Sequence, residues 1–323
     1  MKKLILSIFI LLGFTKISFA QEVMIPTATQ YLADNEFVIA PTYAGIGDYV
    51  KIRLNGFAQW IGIKDAPDNQ TFVGDMRLGM RSGVGLLLYR DRNGNTQQSG
   101  LKASFAHHLT LDKAEKQFLS FGLSYNLNQF RIATENFNPG SNTNNPTPDP
   151  GVTDDRSLTN HNFDVGVLYR SGGFFANLTV GNILNKDMDI FAINEPNKLR
   201  NYSIYTGYRY KRYNNGKFEF EPSVFYQLYE SDGRSSTDIN IKARLLDFED
   251  YYWAGITYRF LNDQIARPLT VGPMFGLKKS NLYFGYSYQI TLNELSMYNS
   301  GTHMVTIGLD LFQGISNCPC MMR

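Results

Sequence analysis

The sequence predicts an all-β fold, a transmembrane antiparallel β-barrel of about 14 strands, and three observations predict it. The chain opens with the shape of a secretory signal, its body alternates apolar and polar residues with period two, and its connections alternate between brief and long. Composition narrows the alternatives. The 323 residues carry Lys+Arg 31 against Asp+Glu 29, a net charge of +2, which gives no electrostatic reason to expect nucleic acid as a partner. Aromatic content is high, with 23 Phe, 20 Tyr and 2 Trp, yet the mean hydropathy is −0.26. That combination disfavours both a helical membrane protein and a disordered chain. Two cysteines, Cys318 and Cys320, build neither a disulfide framework nor a four-cysteine zinc site.

The elements follow in chain order. Residues 1–20 pair Lys2 and Lys3 with an apolar run, Leu4–Phe14, and close on Ser18-Phe19-Ala20, the pattern of a cleaved secretory signal peptide. The run is too short for the roughly 20 apolar residues of a spanning helix. Residues 21–47 are expected to form a periplasmic N-terminal segment, 48–312 the barrel, and 313–323 a short tail. Within the barrel, residues 118–129 are the clearest strand: Leu119, Phe121, Leu123, Tyr125 and Leu127 share one face, and Ser120, Gly122, Ser124, Asn126 and Asn128 the other. Similar alternation sets Val50, Ile52 and Leu54 against Lys51, Arg53 and Asn55, and Ile239, Ile241, Ala243 and Leu245 against Asp238, Asn240, Lys242 and Arg244. Strands are expected near 49–60, 71–81, 84–91, 99–110, 117–129, 160–170, 173–182, 201–212, 217–229, 237–246, 251–260, 269–278, 281–291 and 302–312. Pro222 and Pro273 fall inside two of them and predict bulges.

Short turns such as Ser82-Gly83, Ser171-Gly172 and Lys279-Ser280 alternate with longer connections, of which 130–159 is the longest. That rhythm predicts an outer-membrane barrel with periplasmic termini, aromatic and aliphatic rows facing lipid, and a polar lumen. Arg209, Lys211, Glu219, Glu221, Lys242 and Arg244 share the lumenal face of neighbouring strands, where interleaved signs suggest ion pairs filling the lumen rather than a selectivity ring. No catalytic, cofactor-binding or metal site is predicted. His107 falls on the apolar face, and the following strand offers it no serine; His108, His161 and His303 read as single histidines at strand ends. No Gly-rich phosphate loop, metal-spaced His pair or Gly-x-Ser-x-Gly elbow occurs.

Residues Gln30-Tyr31-Leu32-Ala33 through Pro41-Thr42-Tyr43-Ala44-Gly45 resemble the opening of the PorP/SprF family of Bacteroidetes type IX secretion. Pro41, Tyr43, Ala44 and Gly45 match the family's Asn-Pro-Ala-Tyr-Ala-Gly-like motif, while Ala40 and Thr42 depart from it. The resemblance implies a non-enzymatic outer-membrane component of the secretion and gliding machinery that assists export or surface attachment of partners such as adhesins. It also implies contacts with periplasmic type IX components, in which Pro41, Tyr43, Ala44 and Gly45 are the candidate partner-binding residues. A solute porin is the competing expectation, because periodicity does not measure a pore.

Overall fold

A sheet in lipid has no water to satisfy an open edge, so its strands must close into a ring. This one does. The computed structural model describes residues 30–47, 49–132, 156–184, 199–211, 216–231, 233–247 and 250–312. Their strands are β1 (Val50–Ala58), β2 (Asp68–Leu78), β3 (Ser82–Asn93), β4 (Thr96–Asp112), β5 (Gln117–Ile132), β6 (Arg156–Ser171) and β7 (Phe174–Gly181). There follow β8 (Asn201–Tyr208, continued by Tyr210–Lys211), β9 (Phe218–Tyr229), β10 (Ser235–Asp247), β11 (Asp250–Leu261), β12 (Arg267–Lys279), β13 (Leu282–Thr291) and β14 (Thr302–Leu311). Each pairs antiparallel with the next, and β14 returns to β1 from Val50 opposite Leu311 to Ala58 opposite His303, closing a ring of 14 strands. The signal segment, the tail with Cys318 and Cys320, and most of the 130–159 loop lie outside the described residues.

The alternating rows face as the sequence predicts. Phe121, Leu123 and Tyr125 are exposed on the outer wall, while Ser120, Ser124 and Asn126 are buried in the lumen. On β10, Ile239, Ile241 and Leu245 face out, and Asp238, Asn240, Lys242 and Arg244 face in. The outer wall carries aromatic pairs tied to histidine, Tyr125 Oη to His161 Nδ1 at 2.6 Å and Tyr286 Oη to His303 Nδ1 at 2.7 Å. Such amphipathic rings suit the level where hydrocarbon meets headgroup.

Two expectations fail for identifiable reasons. The register runs unbroken past both Pro222 and Pro273, so neither makes a bulge. Each leaves a gap in one ladder instead, because proline has no N–H to donate: β8 breaks at Arg209, and β12 and β13 skip Gly272 and Pro273. The register shifts lie at Thr110/Asp112 and Arg259/Phe260. Strands β3 to β6 also run further than alternation suggests. β4 has 17 residues and β5 and β6 have 16, against 8 in β7 and β8. The connection of β3 to β4 shrinks to Gly94-Asn95.

The largest departure concerns the N-terminal segment. Its described residues, 30–47, do not hang outside the ring but fill it, as three single-turn 3-10 helices (Gln30–Ala33, Glu36–Val38, Pro41–Tyr43). Tyr31, Leu32, Ala33, Phe37, Ala40, Tyr43, Ala44 and Ile46 form one buried apolar cluster with lumenal Phe175, Tyr205, Phe225, Trp253 and Tyr283. A barrel of this size has a lumen wider than its own side chains span. The segment supplies the missing core.

Candidate functional site

The plug is held to the wall by close packing, polar bonds and charge. Close packing comes first. Pro41 opens its 3-10 turn, and Gly45 leaves it with φ +73, a backbone state that favours glycine. A Cβ on Gly83 would stand 2.7 Å from Gly45 Cα, and one on Gly122 would stand 2.6 Å from the Pro41 carbonyl carbon. These two lumenal glycines let the plug backbone lie directly on β3 and β5. Polar bonds then fix it: Gly45 N–H donates to Asp75 (2.9 Å), Thr42 Oγ1 donates to Asn177 Oδ1 (2.6 Å), and His108 Nε2 lies 3.1 Å from the Ala44 carbonyl oxygen. Ser120 Oγ sits 2.8 Å from His108 Nδ1 and so orients the ring. Pro41, Tyr43, Ala44 and Gly45, which the sequence offers to a partner, thus lie together in one buried turn against the barrel wall.

Charge anchors the other half of the plug. Asp34 accepts from Lys242 Nζ (3.2 Å) and Arg244 Nη2 (2.7 Å), and Glu36 accepts from Arg209 Nη2 (3.2 Å). The wall has its own pairs, Arg209 with Glu221 (2.7 Å), Arg244 with Glu219 and Glu221 (2.8 Å each), and Lys211 with Glu219 (3.4 Å). The six lumenal residues that the sequence grouped are therefore four cations and two acids, and the two plug acids bring the cluster to neutrality. That surplus of positive charge on one lumenal face was the sequence signal for an acidic insert. Breaking a buried pair by removing one partner costs about 3–5 kcal/mol, because it strands a charge in a poorly solvated place.

Tyr31 completes the grip. Its hydroxyl donates to Asp238 (2.7 Å) and accepts from Asn240 Nδ2 (3.1 Å), and its ring meets Phe225 and Tyr205 with centroids 4.8 and 5.3 Å away. Burial pushes the hydroxyls of Tyr31 and Tyr43 above the usual phenol range, with the charge of Asp238 and of Glu36 as the next cause respectively. Tyr283 Oη donates to the Ala33 carbonyl (2.7 Å), and Arg53 stacks on the Tyr283 ring at 4.5 Å while pairing with Asp310 (2.7 Å).

Above the plug lies a cup of about 120 Å³. Asn69, Gln98, Asn128, Asn182, Asn201 and Gln227 line it, all near the barrel rim opposite the short turn at residues 79–81, so it opens toward the outer loops. Val38 and Ile39 of the plug contribute its floor, with Leu87 and Phe225.

One serine does reach His107: Ser82 on β3, paired opposite it, places Oγ 3.0 Å from Nδ1. By the sequence pattern Ser82 falls in a short turn rather than a strand, and β5, the other neighbour, offers His107 no serine. Among the described residues no carboxylate or amide side chain bonds the far ring nitrogen, so the pair lacks the orienting group of a triad. No group of three or more His, Cys, Asp or Glu among the described residues could hold a metal.

Solved structures similar to this chain include outer-membrane channels and other outer-membrane proteins. The CymD monoaromatic hydrocarbon channel aligns at TM-score 0.51 with 10% identity, covering 85% of this chain and 91% of that one. The Pseudomonas putida toluene transporter TodX gives 0.44 and 9%, covering 86% and 91%, and a Pseudomonas aeruginosa FadL homologue gives 0.42 and 9%, covering 81% and 89%. At such identities the likeness to CymD speaks for the barrel fold alone. In sequence, the chain matches none of the curated proteins. The family model described as type IX secretion system membrane protein PorP/SprF, however, matches residues 20–309, nearly the whole chain, and the protein belongs to that family as an integral β-barrel of the outer membrane.

Proposed function

We propose that this chain is a non-enzymatic component of type IX secretion that assists export or surface attachment of partner proteins such as adhesins. It does so as a sealed barrel rather than an open pore. The observation that carries this reading is the plug: residues 30–47 fill the lumen with a buried core and compensate its charge. A porin needs a continuous hydrated passage, and buried Tyr31, Tyr205 and Phe225 stand across it. A barrel that does not conduct serves as a platform, with outer loops toward the exported partner and the short-turn end toward periplasmic secretion and gliding components. Its lipid-facing rows hold it in outer-membrane lipid. The turn at Pro41, Tyr43, Ala44 and Gly45 acts on those partners indirectly, by fixing the platform's shape.

The test compares the secreted and cell-surface proteins of wild type with those of an in-frame deletion and its complemented strain. Selective loss of a large surface protein, with small-solute uptake unchanged, is the expected result. An unchanged surface proteome with impaired solute uptake would overturn the proposal in favour of the porin.

A further inference from the structure

On the lipid-facing wall, register sets residues of β4, β3, β2, β1 and β14 in level rows. Leu101, Leu88, Phe72, Leu54 and Ile307 form an apolar row. One step nearer the outer rim the row reads Ser99, Arg90, Gln70, Gly56 and Val305, and the row beyond it sets Arg92 beside Asp68. Hydrocarbon therefore ends at the middle row, the height at which lipid headgroups begin. That row is notched: Gly56 is exposed, and a Cβ on it would meet nothing within 4 Å. Hollows of about 610 and 530 Å³ meet at the notch and share Gly56, Gln70, Arg90 and Val305, so they form one groove running from the apolar row to the charged one.

The groove's charges select its occupant. Arg92 pairs with Asp68 at 2.7 Å, and Asp68 is the one carboxylate among the described lining residues. Arg90 is exposed and makes no hydrogen bond or ion pair among the described residues. One positive charge is thus unmatched and no acid is free to receive a cation, so an anionic head fits the groove and a zwitterionic one leaves its ammonium without a partner. A guanidinium binds phosphate through paired N–H donors. Gln70 adds an amide at the same height, where a sugar ring would sit, and Leu54, Phe72 and Leu88 give an apolar floor for a hydrocarbon chain. Phosphate and sugar above acyl chains is the build of lipid A, the phosphorylated glycolipid of an outer leaflet. We infer that the groove binds one lipid A molecule, with Arg90 on a phosphate and an acyl chain seated in the notch at Gly56. The inference rests on the proposed orientation, which sets this end of β3 outward.

The experiment uses the full-length protein, delipidated in mild detergent, and native mass spectrometry with added lipid A, dephosphorylated lipid A and phosphatidylglycerol. A single lipid A adduct is expected, and removing the phosphates should weaken it about fivefold or more. Arg90→Gln should weaken lipid A to the level of the dephosphorylated form, and Gly56→Leu, which fills the notch, should weaken both forms. Arg131→Gln, at an outward position of β5 away from the groove, should change neither. Heat-modifiable electrophoretic migration checks that each variant is folded. Should Arg90→Gln fail to fold, Arg90→Lys, which keeps the charge and loses the paired donors, provides the comparison. Absence of a single adduct, an Arg90→Gln barrel that still discriminates the two forms, or an equal loss in Arg131→Gln would overturn the site. Phosphatidylglycerol bound as tightly as lipid A, with the same variant dependence, would overturn the glycolipid assignment and leave a groove for any anionic lipid, whichever way the barrel faces.

Discussion

Asp34 concentrates the plug's dependence on charge in one side chain. It is buried, and it accepts from both Lys242 and Arg244. Asp34→Ala leaves two buried cations short of a counter-charge, and the expected loss is about 3–5 kcal/mol of plug binding or barrel stability. A lowered urea midpoint checks it; a midpoint equal to wild type would show that the pairs contribute nothing. Packing predicts a second effect at Gly122, where a Cβ would clash with the Thr42 amide nitrogen. Gly122→Val should push the plug off β5 and expose a cysteine placed at Tyr43 to a thiol reagent that does not reach it in the parent barrel. Neither residue is conspicuous in the sequence. Asp34 sits 208 positions from Lys242, and Gly122 reads as one more small residue on a lumenal face.

Individual elements were legible in proportion to how strictly the membrane patterns them. Residues 118–129 alternate because one face meets lipid and the other the lumen, and both faces are as expected. The outer ends of β3 and β4 do not alternate. Arg90, Asp91, Arg92 and Asn93, and Thr96, Gln97 and Gln98, are polar on both faces, as suits strands that continue past the hydrocarbon into water, where period two carries no signal. Antiparallel pairing from Arg92 opposite Gln97 to Ser82 opposite His107 places Gly94-Asn95 at the far end of this hairpin from the short turn at residues 79–81. In a background lacking native cysteines, Asn95→Cys should therefore react with a membrane-impermeant maleimide on intact cells, and Lys279→Cys, at the end of β12 beside the short turn to β13, should not. The reverse pattern would invert the barrel.

The whole molecule is a ring whose core comes from outside its strands. Period two revealed the ring, and the family motif marked 30–45 as special, but neither revealed that the segment turns inward. Its three 3-10 turns have no sustained periodicity, and its contacts scatter over β2, β3, β4, β5, β7, β8, β9, β10 and β13. Only the surplus of lumenal cations hinted at an acidic insert. The sealed lumen is the account's central claim, and planar-bilayer recording tests it most directly. Purified wild-type protein should show no large stable conductance steps, and a variant lacking residues 30–46 should show them. Large steps in wild type, equal to those of the deletion, would contradict a barrel closed by its own N-terminal segment.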